Sequence, residues 1–103
     1  MLQQAEKLGW SHIGISNHFI VHPNIKKSLM YQYAQKGNYA AIYSESFDEA
    51  IDKFAAHYQR IDEINQASKT KILKGMEVDY FDSENWYRGF TKALKYLKPD
   101  YII

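Results

Sequence analysis

The stretch Lys71-Ile72-Leu73-Lys74-Gly75-Met76-Glu77-Val78-Asp79-Tyr80-Phe81 decides the fold class of this chain. It predicts a short strand whose far end carries two carboxylates, Glu77 and Asp79, on one face of the pleat. Ligands and catalytic groups gather at the carboxyl ends of the strands in parallel α/β sheets. The two carboxylates therefore mark a candidate site, and the alternative interpretation is a strand end that frays into solvent.

A second strand is predicted from Ser11 to His18. Ile13 and Ile15 lie on one face of this strand. The other face carries small residues followed by an imidazole: Gly14, Ser16 and His18. In the stretch 71–81, one face carries Leu73, Gly75, Glu77 and Asp79, and the opposite face carries Ile72, Met76 and Val78. Each strand thus offers an apolar face to helices and a small-residue face that ends in a group able to bind a metal ion.

Helices are predicted before, between and after these strands. Residues 2–8 are predicted to form a helix, and it is followed by Gly9, a residue typical of a helix C-terminus. Ser46 followed by Glu49 matches a capping box and begins a helix that ends at about Gln66. A further amphipathic helix spans 83–97 before Pro99, and residues 100–103 begin another buried strand. His57 lies beside the apolar stripe of the second helix, which indicates a surface or flank position.

Residues 19–45 predict a lid-like insertion, a long loop with one short helix. A turn at Pro23 and Asn24 precedes this helix, which is predicted at about 25–35. Insertions of this length at the carboxyl end of a strand often serve as lids or specificity loops. Lys26 and Lys27 could meet an anionic substrate, and a solvated basic patch is the alternative.

The order of the elements predicts an α/β fold. Two consecutive βαβ units give about three parallel strands with flanking helices. A complete (β/α) barrel needs about 250 residues, whereas this chain has 103. We therefore expect one incomplete domain over residues 1–103, a partial barrel without its first strand and its C-terminal part.

Composition excludes several classes of function. The chain has 13 basic and 12 acidic residues, interspersed, which is not the basic surface that nucleic acids require. Cysteine is absent, so disulfides and thiolate metal sites are excluded. No apolar run approaches about 20 residues and no leader pattern is present, so we expect no membrane span and a cytoplasmic location.

Four segments resemble a known family: 5–9, 13–18, 72–80 and 100–103. Together they are similar to the middle of the PHP (polymerase and histidinol phosphatase) domain, in its histidinol-phosphatase branch. From the first segment to the last, the match spans nearly the whole chain apart from 19–45. The resemblance implies a distorted (β/α) barrel that binds up to three zinc, manganese or iron ions. It also implies hydrolysis of a small phosphate ester, with histidinol phosphate, from histidine biosynthesis, as the favoured substrate.

The same resemblance implies roles for individual residues. His18 is expected to bind a metal ion, and Glu77 is expected to bridge two. Asn17 stands where the family has an acid, which lowers the negative charge beside His18. Asp79 and His22 are candidates for the outer shell or for substrate contacts, and the alternative for His22 is a solvent-exposed loop histidine.

The family's other motifs lie outside this sequence. A His-x-His motif is expected before Met1, and a Gly-Ser-x-His motif after Ile103. The chain then holds two metal ligands, an incomplete site, and is expected to be inactive alone. The alternatives are a non-catalytic truncated fragment that self-associates through exposed sheet edges, or a PHP nuclease or nucleotide phosphatase.

Overall fold

Four strands and four helices alternate along the described part of the chain. The structure, a computed structural model, describes residues 1–22, 29–36 and 43–103. The elements are α1 (Leu2–Lys7), β1 (His12–Val21), α2 (Leu29–Lys36), β2 (Tyr43–Ser44), α3 (Phe47–Ala67), β3 (Lys71–Val78), α4 (Glu84–Leu97) and β4 (Tyr101–Ile102). None of the helices within these ranges is both long and apolar enough to cross a bilayer.

The strands form one parallel sheet in the order β2-β1-β3-β4. β1 and β3 pair from His12 with Lys71 to Phe19 with Val78, and this pairing places His18 opposite Glu77. The α/β class, the parallel sheet and the flanking helices predicted from the sequence are confirmed.

The first strand is longer than predicted, and a short strand was missed. β1 continues beyond His18 to Val21 because the next three residues are aromatic or β-branched and buried. Ile20 and Val21 pair with Tyr43 and Ser44, which form β2. Segment 19–45, predicted as a lid-like insertion, thus begins and ends in strands. Two residues are too few to show a strand period, so the sequence could not reveal β2.

The middle of that segment is described only in part. α2 covers residues 29–36, whereas the sequence predicted a helix at about 25–35. The predicted turn at Pro23 and Asn24 and the basic pair Lys26 and Lys27 lie outside the described residues. The lid itself stays a prediction.

Capping residues set the ends of the helices as the sequence predicted. Ser46 accepts a hydrogen bond from the backbone N–H of Glu49 at 3.1 Å and begins α3. The Glu49 side chain in turn accepts from the N–H of Glu45, and this bond is the main cause of its lowered pKa. Ser83 begins α4 in the same way, and α1 is followed by Gly9 at φ 75°.

The core lies between the sheet and one layer of helices. Phe19 is fully buried and contacts the rings of Phe47, Phe54 and Phe90, with centroids 5.5 to 6.2 Å apart. The buried core cluster comprises residues of β1, α3, β3 and α4: Phe19, Val21, Ala50, Ile51, Phe54, Tyr58, Ile61, Ile72, Met76, Ala93 and Leu97. Leu2 of α1 packs against it as well. Helices α1, α3 and α4 therefore cover the face opposite to that of His18 and Glu77.

Polar side chains complete the outer edge of β3. The Asn65 amide donates to the carbonyl of Ile72 at 3.0 Å and accepts from its N–H at 2.7 Å, as a neighbouring strand would. Asp100 pairs with Lys74 through its carboxylate and its own N–H, and Ile103 bonds to Met76 and Val78. This edge is therefore closed to another chain, whereas no strand pairs with the outer edge of β4 among the described residues.

Burial shifts the pKa values of two side chains of α3, His57 and Tyr58. Burial lowers the pKa of His57, which lies partly buried beside the rings of Phe54 and Tyr58, the flank position that the sequence predicted. Tyr58 is buried and donates its hydroxyl to the Gly75 carbonyl at 2.8 Å. Burial raises the pKa of Tyr58 to about 12, and the charges of Asp100 and Tyr101 add to the effect. The Tyr58 hydroxyl thus ties α3 to the middle of β3.

Tyr58→Phe is expected to lower the free energy of unfolding at pH 8 by about 0.5–1.5 kcal/mol, because the hydrogen bond to Gly75 is lost. A tyrosine in the unfolded chain ionises near pH 10, and Tyr58 in the folded chain near pH 12. Its stabilising contribution is therefore complete below pH about 10 and is lost as the pH rises toward about 12. Urea unfolding from pH 8 to 11.5 should show the gap between wild type and variant narrowing above pH about 10. A gap independent of pH would contradict this role.

Candidate metal site

His18 and Glu77 lie side by side on the open face of the sheet. Their strands are adjacent, they occupy paired positions, and His18 Nδ1 lies 3.3 Å from Glu77 Oε2. Both side chains are partly exposed, at 47% and 40%. The sequence predicted that this imidazole and this carboxylate face the same side of the sheet, and the structure places them so. His18 is inside β1 rather than at its end, whereas Glu77 is one residue from the end of β3.

The distance between the two groups suits two ligands of one ion. At 3.3 Å, His18 Nδ1 and Glu77 Oε2 are within the range of an ordinary ion pair. Two ligands of a tetrahedral zinc ion, each about 2.0–2.2 Å from the metal, are about 3.3–3.6 Å apart. Neutral imidazole and carboxylate are also ordinary ligands for zinc, manganese and iron. The pair therefore fits as part of a metal site.

Ser16 joins this pair and was missed as a site residue in the sequence. Its hydroxyl lies 3.4 Å from Glu77 Oε1. Ser16 is two residues before His18 and pairs with Gly75, which has no side chain. The signal was present in the shared face of Ser16 and His18, but the contact depends on the register with β3, which one strand alone does not reveal.

Tyr101 covers the sheet beside these residues. A Cβ on Gly14 would lie 2.6 Å from Tyr101 Oη, and a Cβ on Gly75 would overlap the same ring. Tyr101 pairs with Gly75, so its ring crosses β3 and reaches β1 on the face of His18. The two glycines are therefore needed for close packing of the ring, which fills the surface next to Ser16.

The remaining predicted site residues have other surroundings. Asn17 is exposed and projects from the face opposite to that of His18, because successive residues of a strand alternate. Asp79 is exposed just after β3, and its N–H donates to the Phe19 carbonyl at 3.4 Å. His22 is partly buried after β1, with its ring edge-to-face on Phe81 at 4.7 Å. Asn17 therefore lies on the helical face of β1, away from the His18 imidazole.

Two protein ligands do not complete a catalytic metal centre. Catalytic zinc sites use three protein ligands and keep one position for water or substrate. Within residues 1–22, 29–36 and 43–103, no group of three or more His, Cys, Asp or Glu side chains is arranged to hold an ion. His18 and Glu77 thus provide two of the ligands of a metal site, and further ligands would be needed to complete it.

Comparisons with known proteins add no relative to this site. No protein-family model matches the chain, and no curated protein and no solved structure matches it. The observations from which a function can be proposed are therefore the arrangement of His18, Glu77 and Ser16 and the residue pattern of the strands that carry them.

Gly75→Ala is expected to lower the free energy of unfolding by about 1–3 kcal/mol, because the new methyl group would overlap the Tyr101 ring. In a Tyr101→Ala background the same substitution should cost less than half as much. Chemical denaturation of the four proteins gives the coupling between the two positions. An equal cost in both backgrounds would show that the ring does not pack on Gly75.

Proposed function

We propose that this chain is part of a metal-dependent phosphoric monoester hydrolase of the PHP histidinol-phosphatase type. In this proposal the sheet is a segment of a distorted (β/α) barrel in a cytoplasmic enzyme, and histidinol phosphate is the substrate. The observation that carries it is the 3.3 Å approach of His18 Nδ1 to Glu77 Oε2 on paired positions of adjacent strands. The four segments that resemble the PHP domain support the choice of family, and this geometry supports the choice of site.

The position of the pair in the fold supports the proposal. In a (β/α) barrel the helices cover the outside and the active site lies at the carboxyl ends of the strands. Here α1, α3 and α4 contribute to a core on one side of the sheet, whereas His18 and Glu77 lie on the other. Glu77 is one residue from the end of β3. A substrate would therefore approach from the side opposite to α1, α3 and α4.

The residues have complementary tasks in this mechanism. Glu77 would offer its two carboxylate oxygens as ligands to divalent ions. His18 presents an imidazole nitrogen to the Oε2 side of that carboxylate. When bound, divalent ions supply charge stabilisation for the phosphoryl oxygens and an activated water molecule. The protein's part is to hold the ligands on a rigid sheet so that the phosphate group is oriented for in-line attack.

The number of ligands limits what the chain can do by itself. Two side chains are fewer than the three that catalytic zinc sites use. In the proposed enzyme the missing ligands come from segments outside residues 1–103. We therefore expect the chain alone to bind metal weakly and to lack phosphatase activity.

Metal binding is the first test. Calorimetric titration with Zn²⁺ or Mn²⁺ should show binding by the wild-type chain that weakens by more than about tenfold in His18→Ala and in Glu77→Gln, because each loses a direct ligand. His12→Ala is the matched control, since His12 is exposed on the same strand and the same face but pairs with Lys71. Equal affinity in the wild type and both ligand variants, or an equal loss in the control, would contradict the assignment.

Phosphate release is the second test. The 103-residue chain should not hydrolyse histidinol phosphate with added Mn²⁺ or Zn²⁺. A longer form, expressed together with the adjoining coding sequence, should hydrolyse histidinol phosphate. In that longer form Glu77→Gln should lower kcat/KM by more than about 100-fold, because the loss of an outer-shell group already costs about 10- to 100-fold. Full turnover by the short chain would contradict the partial-site argument. No turnover by the long form would contradict the phosphatase proposal.

Self-association is a second proposal, supported by the outer edge of β4. Ile102 and Ile103 are 47% and 69% exposed there, and Asn65 and Asp100 close the edge of β3 behind them. A non-catalytic fragment would pair through this edge. Light scattering after size-exclusion chromatography should then show oligomers that Ile102→Lys converts to monomers. A wild-type monomer at high concentration would contradict the idea.

Near-neutral charge gives the nuclease and nucleotide-phosphatase alternatives less support.

A further inference from the structure

Ser16 and His18 contact different oxygens of the same carboxylate. Ser16 Oγ lies 3.4 Å from Glu77 Oε1, and His18 Nδ1 lies 3.3 Å from Glu77 Oε2. Ser16 and His18 are two residues apart on β1 and share one face. The carboxylate of Glu77, whose side chain is 40% exposed, therefore lies between two polar groups of the neighbouring strand.

The register of the sheet explains why Ser16 contacts Glu77. Ser16 pairs with Gly75, which offers no side chain, and Glu77 is the diagonal neighbour on the same face. The Tyr101 ring packs on Gly75 and Gly14, so it covers the sheet on the side of Ser16 away from Glu77. A small hydroxyl residue fits this position and directs its proton toward Oε1.

We propose that Ser16 is a positioning residue that fixes the orientation of the Glu77 carboxylate. A glutamate side chain has several rotamers, and a partly exposed one samples them unless a neighbour holds it. With Oε1 held by the Ser16 hydroxyl, Oε2 stays turned toward His18, the arrangement that suits two ligands of one ion. The consequence for metal affinity rests on the proposed metal site, whereas the consequence for the Glu77 rotamer does not.

The test uses a matched pair of variants. Ser16→Thr keeps the hydroxyl, whereas Ser16→Val has nearly the same shape without it, and both are β-branched residues that suit a strand. Ser16→Ala is a third variant without added bulk. Ser11→Ala is the control, because Ser11 Oγ contacts His12 rather than Glu77.

The first readout is the conformation of Glu77 in metal-free protein. Three-bond NMR couplings should show one dominant χ1 rotamer of Glu77 in the wild type and in Ser16→Thr. They should show averaging over rotamers in Ser16→Val and Ser16→Ala. Couplings that stay the same in all four proteins would overturn the positioning role, as would averaging in the threonine variant and the valine variant alike.

The second readout is the affinity for Zn²⁺ in the folded variants. Ser16→Val and Ser16→Ala should bind about 10- to 100-fold more weakly than the wild type, the usual effect of losing a group that orients a ligand. Ser16→Thr should keep the wild-type affinity. A loss of affinity with unchanged couplings would overturn the role, because the effect would not act through Glu77. If the wild type itself binds no Zn²⁺, the metal site fails, while averaged couplings in the valine variant still support the orientation of Glu77 by Ser16.

Discussion

The parallel pairing of β1 with β3 is the constraint on which the rest of the structure depends. It runs from His12 with Lys71 to Phe19 with Val78. Because side chains alternate along a strand, a slip of one residue would turn His18 toward the helices and Phe19 away from them. The same register thus sets both the core and the site. The burial of Phe19, Ile72 and Met76 against α3 and α4 opposes such a slip.

The two faces of the sheet have separate tasks. On the helical face, rings and aliphatic side chains pack around Phe19, and the Tyr58 hydroxyl satisfies the Gly75 carbonyl. On the open face, glycines admit the Tyr101 ring, and polar groups follow toward the strand ends. Stability therefore comes mainly from one face, so polar groups on the other need not interrupt the core. That division suits a binding site.

Local signals explain what the sequence could predict. Ser46 with Glu49, Gly9 and Pro99 marked helix ends because capping depends on neighbouring residues. The alternation in β1 and β3 predicted which residues share a face, and this was enough to place His18 and Glu77 on the same side. The approach of the two side chains was expected because the carboxyl ends of parallel strands lie together. The structure brings them together by pairing within the sheet instead, since His18 lies three residues before the end of β1.

Long-range pairing explains what the sequence could not predict. β2 has two residues and exists through its pairing with Ile20 and Val21. The extension of β1 beyond His18 was missed because a polar residue within the strand looked like its end. The contacts of Ser16 with Glu77 and of Tyr101 with Gly14 join residues 61 and 87 positions apart, and no local pattern encodes them. The placement of Asn17 on the helical face also weakens its direct link to the imidazole.

The position of a bound ion tests the account most directly. Anomalous diffraction from crystals of the chain soaked in Zn²⁺ should show a peak about 2.0–2.2 Å from both a His18 nitrogen and a Glu77 oxygen. Such a peak would place both residues in one coordination shell on the open face of the sheet. Zinc bound elsewhere, with His18 and Glu77 still paired and free of metal, would contradict the central claim.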